Sequence, residues 1–354
     1  MQFQLSEEHK MIRQAARDFA QNECLPGVIE RDEHQKFPKE QIMKLADLGF
    51  MGMMVDQKYG GAGMDTISYV LAMEEISKID ASVSVCMSVN NSLVCWGLEA
   101  FGTEEQKQKY LTPLAQGKKD GELYIGAFLL SEPEAGSDAT SQRTIAEDKG
   151  DHYLLNGTKN WITNGNSASV YLVMAQTDVA KGSHGINTFI VEKSWPGVSV
   201  GAKENKLGIR GSDTHSIMFQ DVKVPKENRI GPDGFGFKFA MRTLAGGRIG
   251  IASQALGIAS GAFEFSLKYS KERKAFGKEI SHHQAIQFKL ADMATRIEAS
   301  RLLCMKAAWE KDQGQDYTLS SSMAKVFSSE TAMWAAVEAV QIHGGYGYVK
   351  EYHV

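Results

Sequence analysis

The stretch "YLLNGTKNWITNG" (153–165) decides the fold class. Its two extended runs flank Asn156-Gly157, and both of those residues tolerate positive φ, so the stretch predicts a β-hairpin. Three runs of the same texture follow: "VYLVMAQT" (170–177), "INTFIVEK" (186–193) and "HSIMFQDVKVP" (215–225), with turn residues between them. No long helical period separates these runs. The sheet they form is therefore expected to be largely antiparallel rather than a chain of strand–helix–strand units.

Helical signals lie on both sides of the strands. Ser6 precedes an acidic first turn and a periodic run that includes Met11, Ile12 and Phe19, a cap followed by an amphipathic helix. Thr103 with Gln106 three residues later reads as a capping box. "KYGGAGMD" (58–65) is a glycine-rich loop that either meets a ligand or joins two helices. Further on, Ile286, Leu290, Met293 and Ile297 recur on one helical face. "GRIGIASQALGIASGAF" (247–263) is dense in glycine and alanine. Each helical glycine costs about 1 kcal/mol relative to alanine, so this helix is expected to gain from close approach by a neighbour or a ligand. A last helix over 318–342 meets "HGGYGY" (343–348), where Gly344 or Gly345 fits a C-cap. The reading is an α+β chain in three segments: helical over 1–120, β over 121–230 and helical over 231–354.

The 354 residues are 43% hydrophobic with a formal net charge of −4, which suits a large globular protein and supplies no basic surface for nucleic acid or an anionic membrane. Met1 to Lys10 is polar and acidic, unlike a signal or transit peptide. No apolar run is expected to approach the roughly 20 residues needed to span a bilayer. The expected location is the cytoplasm, of bacterial type, with no targeting segment. Cys24, Cys86, Cys95 and Cys304 lie far apart without metal-ligand spacing, and read as buried thiols in a reducing compartment.

There is no Walker loop, and "GPDGFGF" (231–237) lacks the strand–turn–helix context of a dinucleotide fingerprint. No GxSxG or HExxH motif is present. Two stretches carry more. "FLLSEPEAGSDA" (128–139) sets Ser131, Ser137 and backbone amides around a proline-fixed turn, either a donor surface for an anionic or heteroaromatic ligand or an ordinary loop. "NWITNG" (160–165) places Trp161 and Thr163 two apart on a strand, hence on one face. That is either a platform for a planar redox ring or a core tryptophan beside an edge threonine.

Seven segments in order, "LSEPEAGSDA", "KNWITN", "KLGIRGSDT", "GRIGIASQALGIA", "RKAFGK", "QAIQFKLADMA" and "QIHGGYGY", resemble the acyl-CoA dehydrogenases over essentially the whole chain. "MSVNNSL" (87–93) and "KLGIRG" (206–211) resemble the short-chain, butyryl-CoA-type members. The resemblance implies an N-terminal helical domain, a central antiparallel β domain and a C-terminal four-helix bundle. It implies FAD between the last two, and assembly as a homotetramer, a dimer of dimers. Phe128, Leu130, Ser131, Gly136 and Ser137 would line the flavin and the start of the CoA channel. Trp161 and Ile162 would lie at the isoalloxazine, with the Thr163 hydroxyl at the flavin N5 edge. Arg273, Phe276 and Gln284, and the segment Gln341 to Gly345 with Gly344, match residues that reach the FAD of a neighbouring subunit. Arg248, with Ser137, matches the CoA end of the substrate site. Relatives carry aspartate three residues before that arginine; here Ala245 stands there, and a missing acceptor is expected to weaken acyl-CoA binding by about 1–3 kcal/mol.

The implied reaction removes hydrogens from the α and β carbons of an acyl-CoA thioester, with electrons going on to electron-transfer flavoprotein. The usual base is a glutamate roughly 25 residues after "GGxGY", and general-base assistance is worth roughly 10²- to 10⁴-fold. The alternative position, immediately before Arg248, is Gly247, and Glu351 matches a structural turn. The base is therefore expected beyond Val354, with the chain as given truncated and severely impaired. The other reading is a non-catalytic FAD or acyl-CoA binding protein on the same scaffold. Trp96 is expected near the acyl end of the pocket, either blocking long chains or packing into the helical core.

Overall fold

Packing sorts the chain into two compact units in the computed structural model, which describes residues 4–354. One unit comprises Gln35–Met64 and Val85–Gly247. The other comprises the residues up to His34, then Asp65–Ser84 and Arg248–Val354.

The first unit is built on an eight-stranded sheet. Its strands are β1 (Gly126–Leu129), β2 (Ile145–Asp148), β3 (His152–Thr163), β4 (Val170–Gln176), β5 (Ile186–Glu192), β6 (Val198–Lys203), β7 (Thr214–Pro225) and β8 (Arg229–Ile230). The order is β8-β5-β4-β2-β3-β7-β6, with β1 also paired to β4. Pairing is antiparallel as expected, except for β1 with β4 and the single β2–β4 contact of Ile145 with Gln176. β4 is buried along its whole length, which is why it reads as a continuous apolar run without alternation.

The hairpin expected at Asn156-Gly157 does not form. β3 runs unbroken from His152 to Thr163 between β2 and β7, with a register shift between Leu155 and Gly157. The Asn156 side chain is engaged across the bulge: its Oδ1 accepts from the Asp221 N–H at 2.8 Å and its Nδ2 donates to Asp221 Oδ1 at 3.0 Å. Gly157, at φ +146°, is required for close approach rather than for a turn. A Cβ there would lie 2.5 Å from Thr144 Oγ1. Ladders on both flanks outweigh a local turn preference.

Residues 85–101 of the helical stretch Ala81–Phe101 also belong to this unit. Contrary to expectation, that stretch of 21 residues is long and apolar enough, by length and composition, to cross a membrane. It is 78% buried inside the protein, so its apolarity answers to core packing. Within it the fully buried Asn90 donates to Met51 O at 2.8 Å and Leu114 O at 2.9 Å and accepts from Gly126 N at 2.9 Å. That carboxamide fixes the start of β1, and thereby Phe128.

The second unit gathers helices α1 (Glu7–Phe19), α2 (Thr66–Ser77), α3 (Gly236–Glu272, from Arg248 onward), α4 (Gln284–Asp312) and α5 (Thr318–His343). Ser6 caps α1 by accepting from His9 N; Ile12 and Phe19 are buried, whereas Met11 points to solvent. Leu290, Met293 and Ile297 form the buried face of α4 with Ile286 packed beside them, as their spacing requires. The glycines of α3 permit close helix approach. A methyl at Gly257 would lie 2.4 Å from Glu74 O, and one at Gly261 2.3 Å from Lys78 O. Beneath that contact, Glu74 receives Arg301 at 2.8 Å, and Glu75 receives Arg13 at 2.7 Å and Arg17 at 3.0 Å. All four cysteines are free and buried, and burial pushes their thiols well above the ordinary range.

Candidate functional site

The residues singled out in the sequence fall into two groups, one in each unit. The first group sits where β1 runs into a loop and where β3 ends. Phe128, partly buried, stacks on Phe239 at 6.4 Å and 16°, and Leu130 packs on the same core. Beyond Ser131 the chain turns back on itself through a pair of backbone hydrogen bonds between Glu132 and Ala135, leaving Gly136 and Ser137 exposed. Asn160 N donates to Ser131 O at 2.9 Å, tying this loop to β3.

Trp161 holds φ +62° and remains 61% exposed, an uncommon conformation for a large side chain. It falls in a second register shift of β3, between Lys159 and Ile162. Strict alternation therefore does not hold here, yet Trp161 and Thr163 both stay open on either side of the buried Ile162. The indole is thus not part of the core.

Behind the loop lies an ion pair that the sequence reading missed. The Lys159 ammonium, wholly inaccessible to water, donates to Glu132 Oε1 at 2.7 Å, Leu130 O at 3.0 Å and Gln142 Oε1 at 3.1 Å. Glu132 accepts in turn from Arg143 N at 2.6 Å and Thr144 N at 3.1 Å. Burial pulls the Lys159 ammonium down to about 8 against the opposing pull of the Glu132 charge. Burial raises the Glu132 carboxyl, but the Lys159 charge and its hydrogen bonds outweigh that and hold it low. A lysine on the inward parity of β3, beside the buried Tyr153 and Leu155, was the available signal.

The second group surrounds a cleft of about 420 Å³ lined by Arg273, Gly344, Gly345, His343, Tyr269 and Tyr346 among others. Gly344 caps α5 with φ +59° and ψ −129°, donating to Gln341 O, and a Cβ on Gly344 or Gly345 would meet nothing within 4 Å. Gly344 is thus a helix cap and, with Gly345, an open backbone surface, whereas a Cβ at Gly347 would meet Val340 O at 2.4 Å. His343 stacks on Tyr269 at 4.3 Å, and its Nδ1–H donates to Ala339 O at 2.8 Å. Burial lowers its basicity, with the Ala339 hydrogen bond opposing. The Arg273 guanidinium lies over the Tyr346 ring at 5.6 Å. Phe276 stands 95% exposed at φ +54°, and Gln284 and Gln341 are exposed at the start of α4 and near the end of α5. None of these three lines the cleft. Arg248 is half-buried, Ala245 is buried, and Glu351 is exposed in a turn. Trp96 is partly exposed and packs edge-on against Phe101 at 5.7 Å. Among the described residues no cluster has the make-up of a metal site.

Three family descriptions match in chain order: the acyl-CoA dehydrogenase N-terminal domain over 6–118, the middle domain over 127–222 and the C-terminal domain over 234–354. The chain belongs to the acyl-CoA dehydrogenase family. A short-chain-specific acyl-CoA dehydrogenase of Clostridium acetobutylicum is 48% identical over 354 residues, covering 100% of this chain and 92% of that protein. The solved butyryl-CoA dehydrogenase of Megasphaera elsdenii superposes with a TM-score of 0.96 at 48% identity, over 99% of this chain and 92% of that one. A chain from work on the electron transferring flavoprotein of Acidaminococcus fermentans and flavin-based electron bifurcation gives 0.97 at 49%, over 99% and 91%. PigA with FAD and proline gives 0.94 at 30% identity, over 99% and 91%. The order of an N-terminal helical part, a β part and a C-terminal helical part, expected from sequence texture, is the family's. After the sheet this chain contributes three long helices, α3, α4 and α5, among the described residues.

Proposed function

We propose that this acyl-CoA dehydrogenase uses FAD to convert a short-chain acyl-CoA thioester to the trans-2-enoyl-CoA and passes the electrons to electron-transfer flavoprotein. The observation that carries the reading is 48% identity along the whole chain to a short-chain-specific relative. The FAD-bound neighbour supports the cofactor, and the neighbour from the electron transferring flavoprotein work supports the partner.

The residues present fit a flavin dinucleotide. One group offers an exposed indole, a hydroxyl from Thr163 and the open backbone of Gly136 and Ser137. The other offers a guanidinium, suited to bidentate contact with phosphate, beside glycine backbone that no side chain covers. Bound FAD supplies a hydride acceptor. Phe128, Leu130, Ser131, Gly136, Ser137, Trp161, Ile162 and Thr163 hold and orient it. Arg273, Phe276, Gln284, Gln341, Gly344 and Gly345 serve the FAD of a neighbouring subunit in a homotetramer. Arg248 and Ser137 receive the CoA part, without an acceptor at Ala245. We assign no residue of this chain as the base; cytoplasmic location and domain boundaries at 120 and 230 remain part of the reading.

The test is anaerobic addition of butyryl-CoA to the purified flavin-loaded protein, following the flavin absorption band. Bleaching by butyryl-CoA is the expected result. A protein that holds FAD and is bleached by no acyl-CoA at any chain length is the non-catalytic binder instead.

A further inference from the structure

We propose that Lys159 and Glu132 are positioning residues that lock the 130–144 loop onto the strand bearing Trp161 and Thr163, so that both flavin-facing segments of this unit move as one body. The inference rests on the functional reading above for its consequence, but not for its geometry. The ammonium of Lys159, on β3, reaches three acceptors that all belong to the loop: Leu130 O where it leaves the sheet, Glu132 at its turn and Gln142 on its return limb. Gln142 in turn donates from Nε2 to Ala139 O at 2.8 Å, and Glu132 takes the amides of Arg143 and Thr144 just before β2 begins. All three ammonium protons are thus used, and both ends of a loop whose tip is exposed are fastened to one side chain. Trp161 follows two residues later on the same strand, within the register shift that begins at Lys159. Loss of the ammonium would free the loop and the bulge together.

A stability role explains this arrangement poorly. Burying a charge pair sacrifices the hydration of both ions, and apolar replacements of similar volume are often neutral or better. Side chains 0% and 3% exposed within an apolar sheet unit serve better as a rigid register between two segments.

The experiment compares wild-type protein with Lys159→Met, which keeps the volume and removes the ammonium, and with Glu132→Gln, which keeps the shape and removes the charge. Amide hydrogen exchange is measured on the apo-protein by segment, and FAD dissociation and the visible circular dichroism of bound flavin on the loaded protein. The expected result is faster exchange confined to residues 131–144 and 160–163, with FAD affinity about tenfold weaker or more and an altered flavin dichroism. Unchanged exchange in those segments, or acceleration spread evenly over the chain, in whichever variant folds, overturns the proposal. Local acceleration with wild-type FAD affinity and dichroism also overturns it, because the loop would then not position the flavin. If wild-type protein takes up no FAD, the functional reading fails, while the exchange data still decide whether the pair locks the two segments. Should Lys159→Met not fold, Glu132→Gln decides alone. Failure of both to fold overturns the proposal in favour of a purely structural pair.

Discussion

Glu75 has almost no access to water, yet it answers to three cations, Arg13, Arg17 and Lys78. Burial alone would raise its carboxyl; the Arg17 hydrogen bond, the Lys78 charge and the Arg13 hydrogen bond outweigh that and hold it at about 2 instead of 4.5. A carboxyl whose pKa is lower folded than unfolded stabilises the fold above pH 4.5, and loses that contribution as pH falls from 4.5 to 2. Glu75→Gln is therefore expected to lower stability at neutral pH by about 3 kcal/mol, since Arg13 and Arg17 lose their carboxylate and Lys78 keeps only Glu264. It should also flatten the acid limb: urea midpoints measured across that window should fall less steeply in the variant than in wild type. Equal slopes would remove Glu75 from the acid response. A second residue-scale expectation concerns Gly344. Its φ of +59° is strained for any L side chain while space around it is open, so Gly344→Ala should cost about 1–2 kcal/mol through the backbone alone, read from the same urea curves. At this scale the sequence shows chemistry by type and spacing: a cap at Ser6, a capping box at Thr103 and Gln106, and glycines at a helix end all form as read. The Lys159–Glu132 pair was hidden because its members lie 27 residues apart and meet only when β3 closes against the loop.

Helix α3 shows how the same residue type takes its sign from the neighbouring element. Glycine to alanine in an isolated helix gains about 1 kcal/mol. At Gly261 the new methyl would meet the Lys78 carbonyl oxygen at 2.3 Å, and at Gly257 that of Glu74 at 2.4 Å, and backbone cannot swing aside as a side chain does. Either substitution should therefore destabilise by about 1–3 kcal/mol, as overpacking does, rather than stabilise. Thermal or urea unfolding of the two variants checks the sign, and a gain would mean the helices can separate freely. The glycine density of 247–263 carried this information in the sequence, since several costly residues in one helix need a packing reason. The Asn156-Gly157 pair did not carry it. Its turn preference is real, but only the ladders formed by β2 and β7 on either side decide that the chain continues straight. Element type was legible from local pattern, whereas the breaks and bulges that aim Trp161 depend on pairing partners distant in sequence.

At the scale of the whole molecule, α5 leaves a surface that a lone chain does not explain. Leu319, Met323, Val326, Met333, Val337 and Val340 are all exposed on it, while Ala324, Ser328, Ala332, Ala335 and Ala339 face inward. The exposed set recurs at alternating steps of four and three residues, with only Glu330 interrupting, which is the seam of a helix that packs against another helix. Contiguous apolar surface of this kind marks an interface. The homotetramer we propose would cover it, and would also bring the cleft of Arg273 and Gly344 within reach of another subunit's cofactor. Sedimentation of the wild-type protein should give a multiple of the 39.0 kDa chain mass. Met333→Glu combined with Val337→Glu places two carboxylates on the seam, one helical turn apart, and should shift the distribution to smaller species without unfolding, since neither side chain supports the inner face. Assembly would then be coupled to cofactor retention. The same double variant should release FAD more readily on dilution, although neither substituted residue lines the cleft. A wild-type protein that sediments as a monomer, or a double variant that keeps both assembly and cofactor, would detach this face from the site.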